Sequence, residues 1–490
     1  MSGPLFPGYR PADADEAVGA DGRPRNGYAV LGAWLERLGG DRLPAAAEAL
    51  AAAHRAGGVT VSTWTDGRRE THPVHVDPVP RVVTAEAWAE LAAGVQQRHR
   101  ALNAFLADAY RAAGRRRGDA DRHPEIVQAG VLPEWAVAHS PGRDPQAVGL
   151  AWPGQPRAAL AGVDLRRTRE GWVVLGDDLR LPAGLGHALA VRDTVLAAGS
   201  GPGPEAGAVL DPWDAVPMLL AGLQAAAPPA CEQPARVAVL AAPDGEDDGF
   251  EQRMLADALQ VPLLRPSDLW PRMDGGIDAT VDGLRQPVDV LYRHVDDAAL
   301  GVYPAPVGQP LDLLLAEAVR AGRLGLANVT GNGVADDAAT YAWVPAMIRF
   351  YLAEEPLLPS VHTWVLADPA QWAAVRERLH ELVLTPVAGY GGGRVVSGPS
   401  CTGAELAELQ AEVAAAPHRF VAQEPVQGST APTLADGRVR PRHVDLRVFS
   451  VAAPTYRALP APLTRVALSE GSTPGSAADS GVKDTWLLRA

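Results

Sequence analysis

The chain has 490 residues, 47% hydrophobic and 21% charged, and these values are typical of a soluble protein with roughly two or three domains. Its formal net charge of −14 argues against nucleic acid or an anionic membrane as a partner, because both attract an excess of lysine and arginine. Cys231 and Cys401 are the only cysteines, so neither a disulfide framework nor a zinc motif is expected. The N-terminal sequence MSGPLFPGYR does not resemble a signal peptide, and no run of about 18 apolar residues occurs. We therefore expect a cytoplasmic protein without a membrane anchor.

The first 200 residues are predicted to contain helices followed by one β-hairpin. Apolar residues at helical spacing predict a helix over Ala85–Tyr110. Farther along, one apolar strand contains Asp164, and a second strand ends in Asp177 and Asp178. Carboxylates at strand ends could hold a divalent cation, because hard cations prefer oxygen ligands; two solvated strand ends are the alternative.

Residues 201–330 are predicted to form a small parallel α/β domain. Four apolar runs, Ala235–Ala241, Val261–Leu264, Val288–Tyr292 and Leu324–Ala327, alternate with helical segments. Such alternation is typical of a parallel sheet. The segment lacks the spaced glycines of a dinucleotide site, so no cofactor is assigned to it.

A glycine-rich hairpin is predicted over Leu382–Gly398, with the sequence LVLTPVAGYGGGRVVSG. Its tip contains the glycines Gly389, Gly391, Gly392 and Gly393. Backbone N–H groups at such a tip could close over a phosphate chain, because glycine lets the main chain approach closely. A hairpin with no ligand is the alternative.

Three further strands and a flexible tail are predicted after this hairpin. The strands are Arg419–Gln423, Pro441–Val451 and Tyr456–Leu468. The tail, rich in Gly, Ser and Ala, then leads into Lys483, which is the only lysine in the chain.

In combination, these motifs resemble the circularly permuted ATP-grasp proteins of type 2. The stretches that carry the resemblance are NVTGNGVADD, YAWVPAMIRFYLAEEPLLP, RPRHVDLRVF, LTRVAL and KDTW, and it runs from about Gly8 to Leu488. It implies an α/β fold with α+β lobes, in which the metal-binding hairpin precedes the nucleotide-binding lobes. The implied domains are residues 1–200 (helical region and metal hairpin), 201–330 (small parallel α/β pre-ATP-grasp domain) and 331–490 (nucleotide-binding lobes).

The resemblance also implies an activity, the ATP-dependent joining of a carboxylate to an amine. Small-molecule or peptide substrates are implied, with ATP and Mg²⁺ as cofactors. For ATP, the resemblance assigns Gly389, Gly391, Gly392, Gly393, Arg394, Gln423, Glu424 and Asp445. For Mg²⁺ it assigns Asp164 and Asp178, and for catalysis Arg447, Arg465 and Lys483. Arginine suits the last role because its planar fork matches carboxylate and phosphate groups.

Three positions depart from the family pattern. Thr385 stands where the family has a lysine that contacts phosphate, Gly176 replaces a metal-binding glutamate, and Asp178 replaces an asparagine. An active ligase could use a rearranged site, in which Asp164, Asp177 and Asp178 bind Mg²⁺ and Arg394 or Lys483 replaces the lost lysine. Alternatively, a degenerate homologue could keep the fold and act as a nucleotide-binding regulatory or scaffold partner of an active paralogue; a plain interaction domain is the third reading. The two losses favour the second alternative, because both weaken phosphoryl transfer.

Overall fold

The computed structural model describes residues 5–25, 27–39, 42–65, 68–111, 123–152, 154–202, 207–229, 231–246, 249–388, 395–475 and 480–490. Its strands are β1 (Thr60–Thr65), β2 (Arg68–Pro73), β3 (Val76–Val83), β4 (Leu160–Arg167), β5 (Trp172–Asp178), β6 (Val237–Leu240), β7 (Leu263–Leu264), β8 (Leu269–Pro271), β9 (Ile277–Val281), β10 (Leu284–Val288), β11 (Val290–Arg293), β12 (Gly325–Ala327), β13 (Thr363–Val365), β14 (Val383–Pro386), β15 (Val396–Ser397), β16 (Phe420–Gln423), β17 (Thr430–Ala435), β18 (Arg438–Val451), β19 (Arg457–Ala458), β20 (Leu463–Ala467) and β21 (Ser480–Leu487). Its α-helices are α1 (Ala29–Leu38), α2 (Leu43–Ala56), α3 (Ala85–Ala109), α4 (Glu125–Gln128), α5 (Glu134–Ala138), α6 (Leu185–Ala197), α7 (Ala215–Gln224), α8 (Phe250–Leu259), α9 (Asp297–Val302), α10 (Leu311–Arg320), α11 (Gly333–Asp336), α12 (Ala338–Tyr341), α13 (Val344–Met347), α14 (Pro369–Val375) and α15 (Gly403–Ala415). A π-helical turn, Ile348–Leu352, extends α13.

The largest sheet has the strand order β3-β21-β20-β18-β4-β5, with β17 and β19 also paired to β18. Its neighbouring strands are antiparallel except for β3 and β21, which run parallel. β3 comes first in this order, so it can contain Pro78 and Pro80, which have no N–H to donate to a second neighbour. The sheet therefore joins strands from both ends of the chain.

Helices cover both faces of the largest sheet. On one face α6 contributes to a buried cluster that includes Leu185, Leu189, Phe449, Leu463 and Val482. On the other face α3 contributes to a cluster that includes Leu91, Val95, Val163, Leu165 and Val448. Val448 and Phe449 are adjacent in β18 yet belong to different clusters, because successive side chains of a strand point to opposite faces.

The longest of the described helices, α3, begins at a side-chain cap. Thr84 Oγ1 accepts a hydrogen bond of 3.3 Å from the Ala87 N–H, which satisfies one of the free donors at the helix start. The helix predicted over Ala85–Tyr110 is thereby confirmed. Within the described ranges, no helix is long and apolar enough to cross a membrane.

A smaller sheet between residues 237 and 327 is parallel, with the order β12-β11-β6-β7. All four residues of β6 are buried, as expected for a parallel strand covered on both faces. The prediction of a parallel α/β unit is confirmed. The antiparallel sheet β10-β9-β8, which is inserted in this unit, was not predicted.

A third sheet contains the strands of the glycine-rich hairpin. Its order is β13-β16-β14-β15, and β14 pairs with β15 as the sequence predicts. Leu384 and Ala422 pack with Leu409 and Val413 of α15 on one face. Thr385, which is paired with Val421 in register, therefore lies on the other face. The fold class is α/β as predicted, whereas the domain boundaries near residues 200 and 330 remain a prediction.

The backbone at Gly142 lies close to the backbone at Gly333, the first residue of α11. A Cβ built on Gly142 would lie 2.1 Å from the carbonyl carbon of Gly333. Gly142→Ala should therefore lower the free energy of unfolding by about 1–3 kcal/mol or more, because backbone cannot yield as a side chain can. Urea unfolding would measure this loss. Gly403→Ala is the matched control, because no atom lies within 4 Å of its Cβ position, and equal stability of the two variants would contradict the prediction.

Candidate functional site

The hairpin of β4 and β5 brings the two predicted metal ligands to one place. Asp164 lies opposite Gly176 in register, and Asp178 lies opposite Gly162. A register irregularity next to Asp164 shifts the pairing of the following residues. Asp164 and Asp178 thus lie on the same face, at the end of the hairpin that leads into α6.

Two arginines from neighbouring strands reach the same point. Arg447 donates from Nε and Nη2 to the two carboxylate oxygens of Asp164, at 2.9 and 2.8 Å. Its Nη1 lies 3.3 Å from Asp178 Oδ2 and donates at 3.0 Å to the Ala183 carbonyl. Arg465 donates from Nη2 to Asp164 Oδ1 at 3.0 Å. The structure therefore brings together four of the predicted site residues.

The surroundings in this cluster lower the pKa of one acid and raise the pKa values of two others. Burial alone would raise the pKa of Asp164, but Arg447 and Arg465 hold that pKa well below its usual range. Burial raises the pKa of Asp178, against the attraction of Arg447. Burial and then the charge of Asp178 raise the pKa of Asp336 well above normal, although Asp336 accepts hydrogen bonds from the N–H groups of Leu179 and Arg180. Asp336 was not predicted, because it lies in α11, about 160 residues from Asp178 in the chain.

Asp445, which was assigned to ATP, is 1% exposed and already paired. Arg166 donates to both of its carboxylate oxygens at 2.7 Å, and the same guanidinium donates at 3.1 Å to the Val426 carbonyl. Asp445 thereby anchors the segment that follows β16. Its assignment to ATP remains a prediction.

Gln423 and Glu424, at the end of β16, have different surroundings. The side-chain amide of Gln423 donates at 2.8 Å to Thr363 Oγ1 on the neighbouring strand. Glu424 is exposed and lines a cavity of about 310 Å³ with Trp172 and His362. Neither side chain reaches the Asp164 cluster through a hydrogen bond.

Lys483 is fully buried and does not contact the arginine cluster. Its Nζ donates to Asp77 Oδ1, to the Val79 carbonyl at 3.1 Å and to the Pro432 carbonyl at 2.9 Å. Lys483 pairs in register with Thr464, the residue next to Arg465, so the two cationic side chains lie on opposite faces of the sheet. Burial lowers the pKa of Lys483, and Asp77 offsets only part of that effect. Its catalytic assignment remains a prediction that this position does not support.

The tip of the glycine-rich hairpin, with Gly389, Gly391, Gly392, Gly393 and Arg394, lies outside the described residues. Next to the described base of the hairpin, a cavity of about 1010 Å³ is lined by Pro386, Val387 and Phe420. Its charged lining consists of Asp337, Glu405, Glu408, Glu412 and Arg419. Such an acidic lining does not fit a triphosphate that arrives without cations. Thr385, on the strand that leads into the hairpin, has no positive charge to change this balance.

The donor set around Asp164 does not fit the family's magnesium site. Both of its carboxylate oxygens already accept hydrogen bonds from guanidinium groups, and Gly176 offers no side-chain oxygen from the opposite strand. Among the residues that the structure describes, no group of three or more His, Cys, Asp or Glu side chains could hold a metal ion. Two carboxylates balanced by two arginines attract a dication only weakly.

Two residues that were not predicted complete the surroundings of this cluster. Glu251 accepts hydrogen bonds from the N–H groups of Gly184 and Gly186 at 2.7 and 2.9 Å, at the start of α6. His187 Nδ1 lies 3.7 Å from the other carboxylate oxygen of Glu251. Glu251 lies in α8 and His187 in α6, and a helical sequence pattern does not distinguish a site residue from a structural one.

Comparisons with known proteins agree with the sequence resemblance. A family model described as circularly permuted ATP-grasp type 2 matches residues 80–467. A Frankia alni protein named "Putative glutamate--cysteine ligase 2-3" is 39% identical over 490 residues, covering 99% of this chain and 55% of that protein. A Mycobacterium tuberculosis protein is 37% identical over 99% of this chain and 86% of its own length, and a Synechocystis protein is 34% identical over 97% of each. The chain thus spans about half the length of the Frankia relative.

Lys483→Met tests whether this lysine is structural. We expect the free energy of unfolding to fall by about 3–5 kcal/mol, because the Asp77 carboxylate would remain buried without its cation. Urea unfolding measures the loss, and the double variant Lys483→Met, Asp77→Asn should regain part of it. Unchanged stability together with a loss of ligand binding would instead assign Lys483 to the site.

Proposed function

Because the chain belongs to the circularly permuted ATP-grasp type 2 family, we propose that it is a ligase-type protein with a weakened phosphoryl-transfer site. It would recognise small-molecule or peptide carboxylates and amines, the substrates of carboxylate–amine ligation. The name of the Frankia alni relative, "Putative glutamate--cysteine ligase 2-3", supports this substrate class. The observation that carries the proposal is the pairing of Asp164 with Arg447 and Arg465 opposite Gly176.

The carboxylate-binding part of the site is supported by the arginines. Arg447 uses its donors on Asp164, Asp178 and a backbone carbonyl, so its position is fixed by several hydrogen bonds. Arg465 donates one hydrogen bond, to Asp164, and its side chain is 26% exposed. A guanidinium that is held in place and still has free donors is suited to receive a carboxylate.

The phosphoryl-transfer part lacks two of its usual charges. At the metal position, Gly176 removes a carboxylate, and at the phosphate position Thr385 removes an ammonium group. Transfer of a phosphoryl group depends on cations that neutralise the developing charge, and each lost contact raises the barrier. These two positions support the proposal of reduced or lost catalysis in a protein that still binds its ligands.

Restoring both charges tests the proposal. A side chain can be introduced at position 176, because a Cβ there would have no atom within 4 Å. Combined with Thr385→Lys, Gly176→Glu should tighten the binding of ATP in the presence of Mg²⁺ at least tenfold, equivalent to about 1.4 kcal/mol. Isothermal titration measures the affinity, and the rise in melting temperature with ligand concentration gives a second measure.

The matched control for that experiment carries neutral side chains of similar length. Gly176→Gln with Thr385→Met fills the same space without adding charge. Equal affinity for Mg²⁺–ATP in the charged and neutral double variants would sink the explanation based on the lost charges.

An active ligase with a rearranged metal site is a second candidate, favoured by the Asp178–Asp336 pair. The raised pKa values of the two carboxyl groups mean that a nearby cation would stabilise their ionised forms. If Asp336 is a ligand, Asp336→Asn should abolish the Mg²⁺-dependent part of ATP binding. Unchanged Mg²⁺ dependence in titrations of the folded variant would remove this candidate.

A further inference from the structure

A cavity of about 300 Å³ lies beside the Asp164 cluster, between the β1–β2 hairpin and the start of α6. Residues from five parts of the chain line it: Val61, Ser62 and Val74; Ala183, Gly184 and His187; Glu251 and Gln252; Arg447, Leu463 and Arg465; and Ser480, Gly481 and Val482. Its volume is at the lower end of the range for small-molecule sites, so it suits a ligand of few atoms.

One wall of this cavity is cationic and has hydrogen-bond donors that are not all used. Among the described residues, Arg465 makes one hydrogen bond, and its Nε is buried without a partner. A buried donor that has lost its water and gained no acceptor is unfavourable, so an anion seated at Arg465 would be stabilised. Arg447 lines the same wall and adds positive charge, although Asp164 and Asp178 occupy most of its donors.

A second wall is anionic. Burial raises the pKa of Glu251, but the hydrogen bond with His187 and other nearby groups lower it to about 2, so the carboxylate stays ionised at neutral pH. The backbone N–H groups of Gly184 and Gly186 donate hydrogen bonds to Glu251 Oε1. Oε2 lies 3.7 Å from His187 Nδ1 and can accept a further hydrogen bond.

Opposite charges on one small cavity restrict the ligands that fit it. Inorganic phosphate or a simple dicarboxylate would be attracted by Arg465 and repelled by Glu251. A simple amine would be attracted by Glu251 and repelled by Arg465. A molecule with both a carboxylate and an ammonium group satisfies both walls.

The remaining walls come largely from outside the family match. The hairpin residues Val61, Ser62 and Val74 precede residue 80, and Ser480–Val482 follow residue 467. His187 Nε2 lies 2.9 Å from the Thr60 carbonyl and ties the hairpin to α6. The part of the ligand between its two charges would therefore contact residues that are not part of the matched region.

We propose that this cavity binds a small zwitterion, an amino acid or a dipeptide, with its carboxylate on Arg465 and its ammonium group on Glu251. This assignment rests on the proposed function, because it names the class of ligase-type substrate. The hairpin and the last strand, with Val61, Ser62 and Val482, set which side chain is accepted.

Isothermal titration of the full chain without nucleotide tests the assignment. The probes are L-alanine, L-glutamate and L-alanyl-L-alanine, each beside its N-acetyl and its carboxamide derivative. At least one zwitterion should bind saturably, and blocking either end should weaken its binding at least tenfold. If no zwitterion binds, or if the blocked derivatives bind equally well, the assignment is overturned.

Two variants separate a specific site from a general change in the protein. Arg465→Gln should weaken zwitterion binding at least tenfold, whereas Arg440→Gln, at an exposed arginine of β18, should leave it unchanged. Val61→Phe narrows the cavity without changing any charge and should also weaken binding, most strongly for the dipeptide. If Arg465→Gln folds normally by circular dichroism and still binds the zwitterion with wild-type affinity, the assignment is contradicted.

A parallel titration with Mg²⁺–ATP distinguishes failure of this assignment from failure of the proposed function. Zwitterion binding without nucleotide binding supports the assignment and removes the ligase-type function. Nucleotide binding without zwitterion binding overturns the assignment and leaves the function standing.

Discussion

The ion pairs between β4 and β18 fix the register on which the whole site depends. Arg447 faces Asp164, and two residues away Asp445 faces Arg166, so the two pairs have opposite polarity along the strands. A slip of two residues would place Arg447 opposite Arg166 or Asp445 opposite Asp164, and like charges directly opposite are unfavourable. A slip of β18 by one residue would turn Asp445 and Arg447 to the face packed by α3, away from Arg166 and Asp164. These pairs therefore specify the register more than they add stability.

Lys483 illustrates how a scarce residue can serve the fold. A lysine ammonium has three donors around one atom, and three acceptors surround Lys483 Nζ: one carboxylate oxygen of Asp77 and the carbonyls of Val79 and Pro432. The planar guanidinium of an arginine would not match that arrangement in a closed space. Its place in the KDTW stretch thus has a structural explanation, in a chain that otherwise uses arginine for its cations.

The sequence predicts those parts of the site that follow from local pattern. The spacing of Asp164, Gly176 and Asp178 fits a hairpin, because two strands joined by a short turn return each residue to a definite neighbour. The face on which Lys483 lies was not predictable, because it depends on the register of β20 with β21. Glu251 reaches the site from α8, and no repeat or spacing links a helix start to a strand about 200 residues away in the chain. The β1–β2 hairpin has only a short signal in the sequence, the Asp66-Gly67 dipeptide between Thr60–Thr65 and Arg68–Pro73, which is typical of a turn but does not by itself predict two strands.

Gly176 connects the two features of the site, its poor fit to a metal ion and its cavity. A glutamate at this position would face Asp164 across the hairpin, and two opposed carboxylates without enough counter-charge attract a cation. With glycine there, Arg447 and Arg465 together balance Asp164 and Asp178, and the cluster has little net attraction for Mg²⁺. The arginines are then oriented by the carboxylates instead of by a ligand, and Arg465 keeps donors directed away from Asp164. Under the proposed function, the glycine that weakens metal binding also leaves a positioned guanidinium in the cavity that Glu251 lines, and the ligands proposed for this cavity are small molecules that carry both charges.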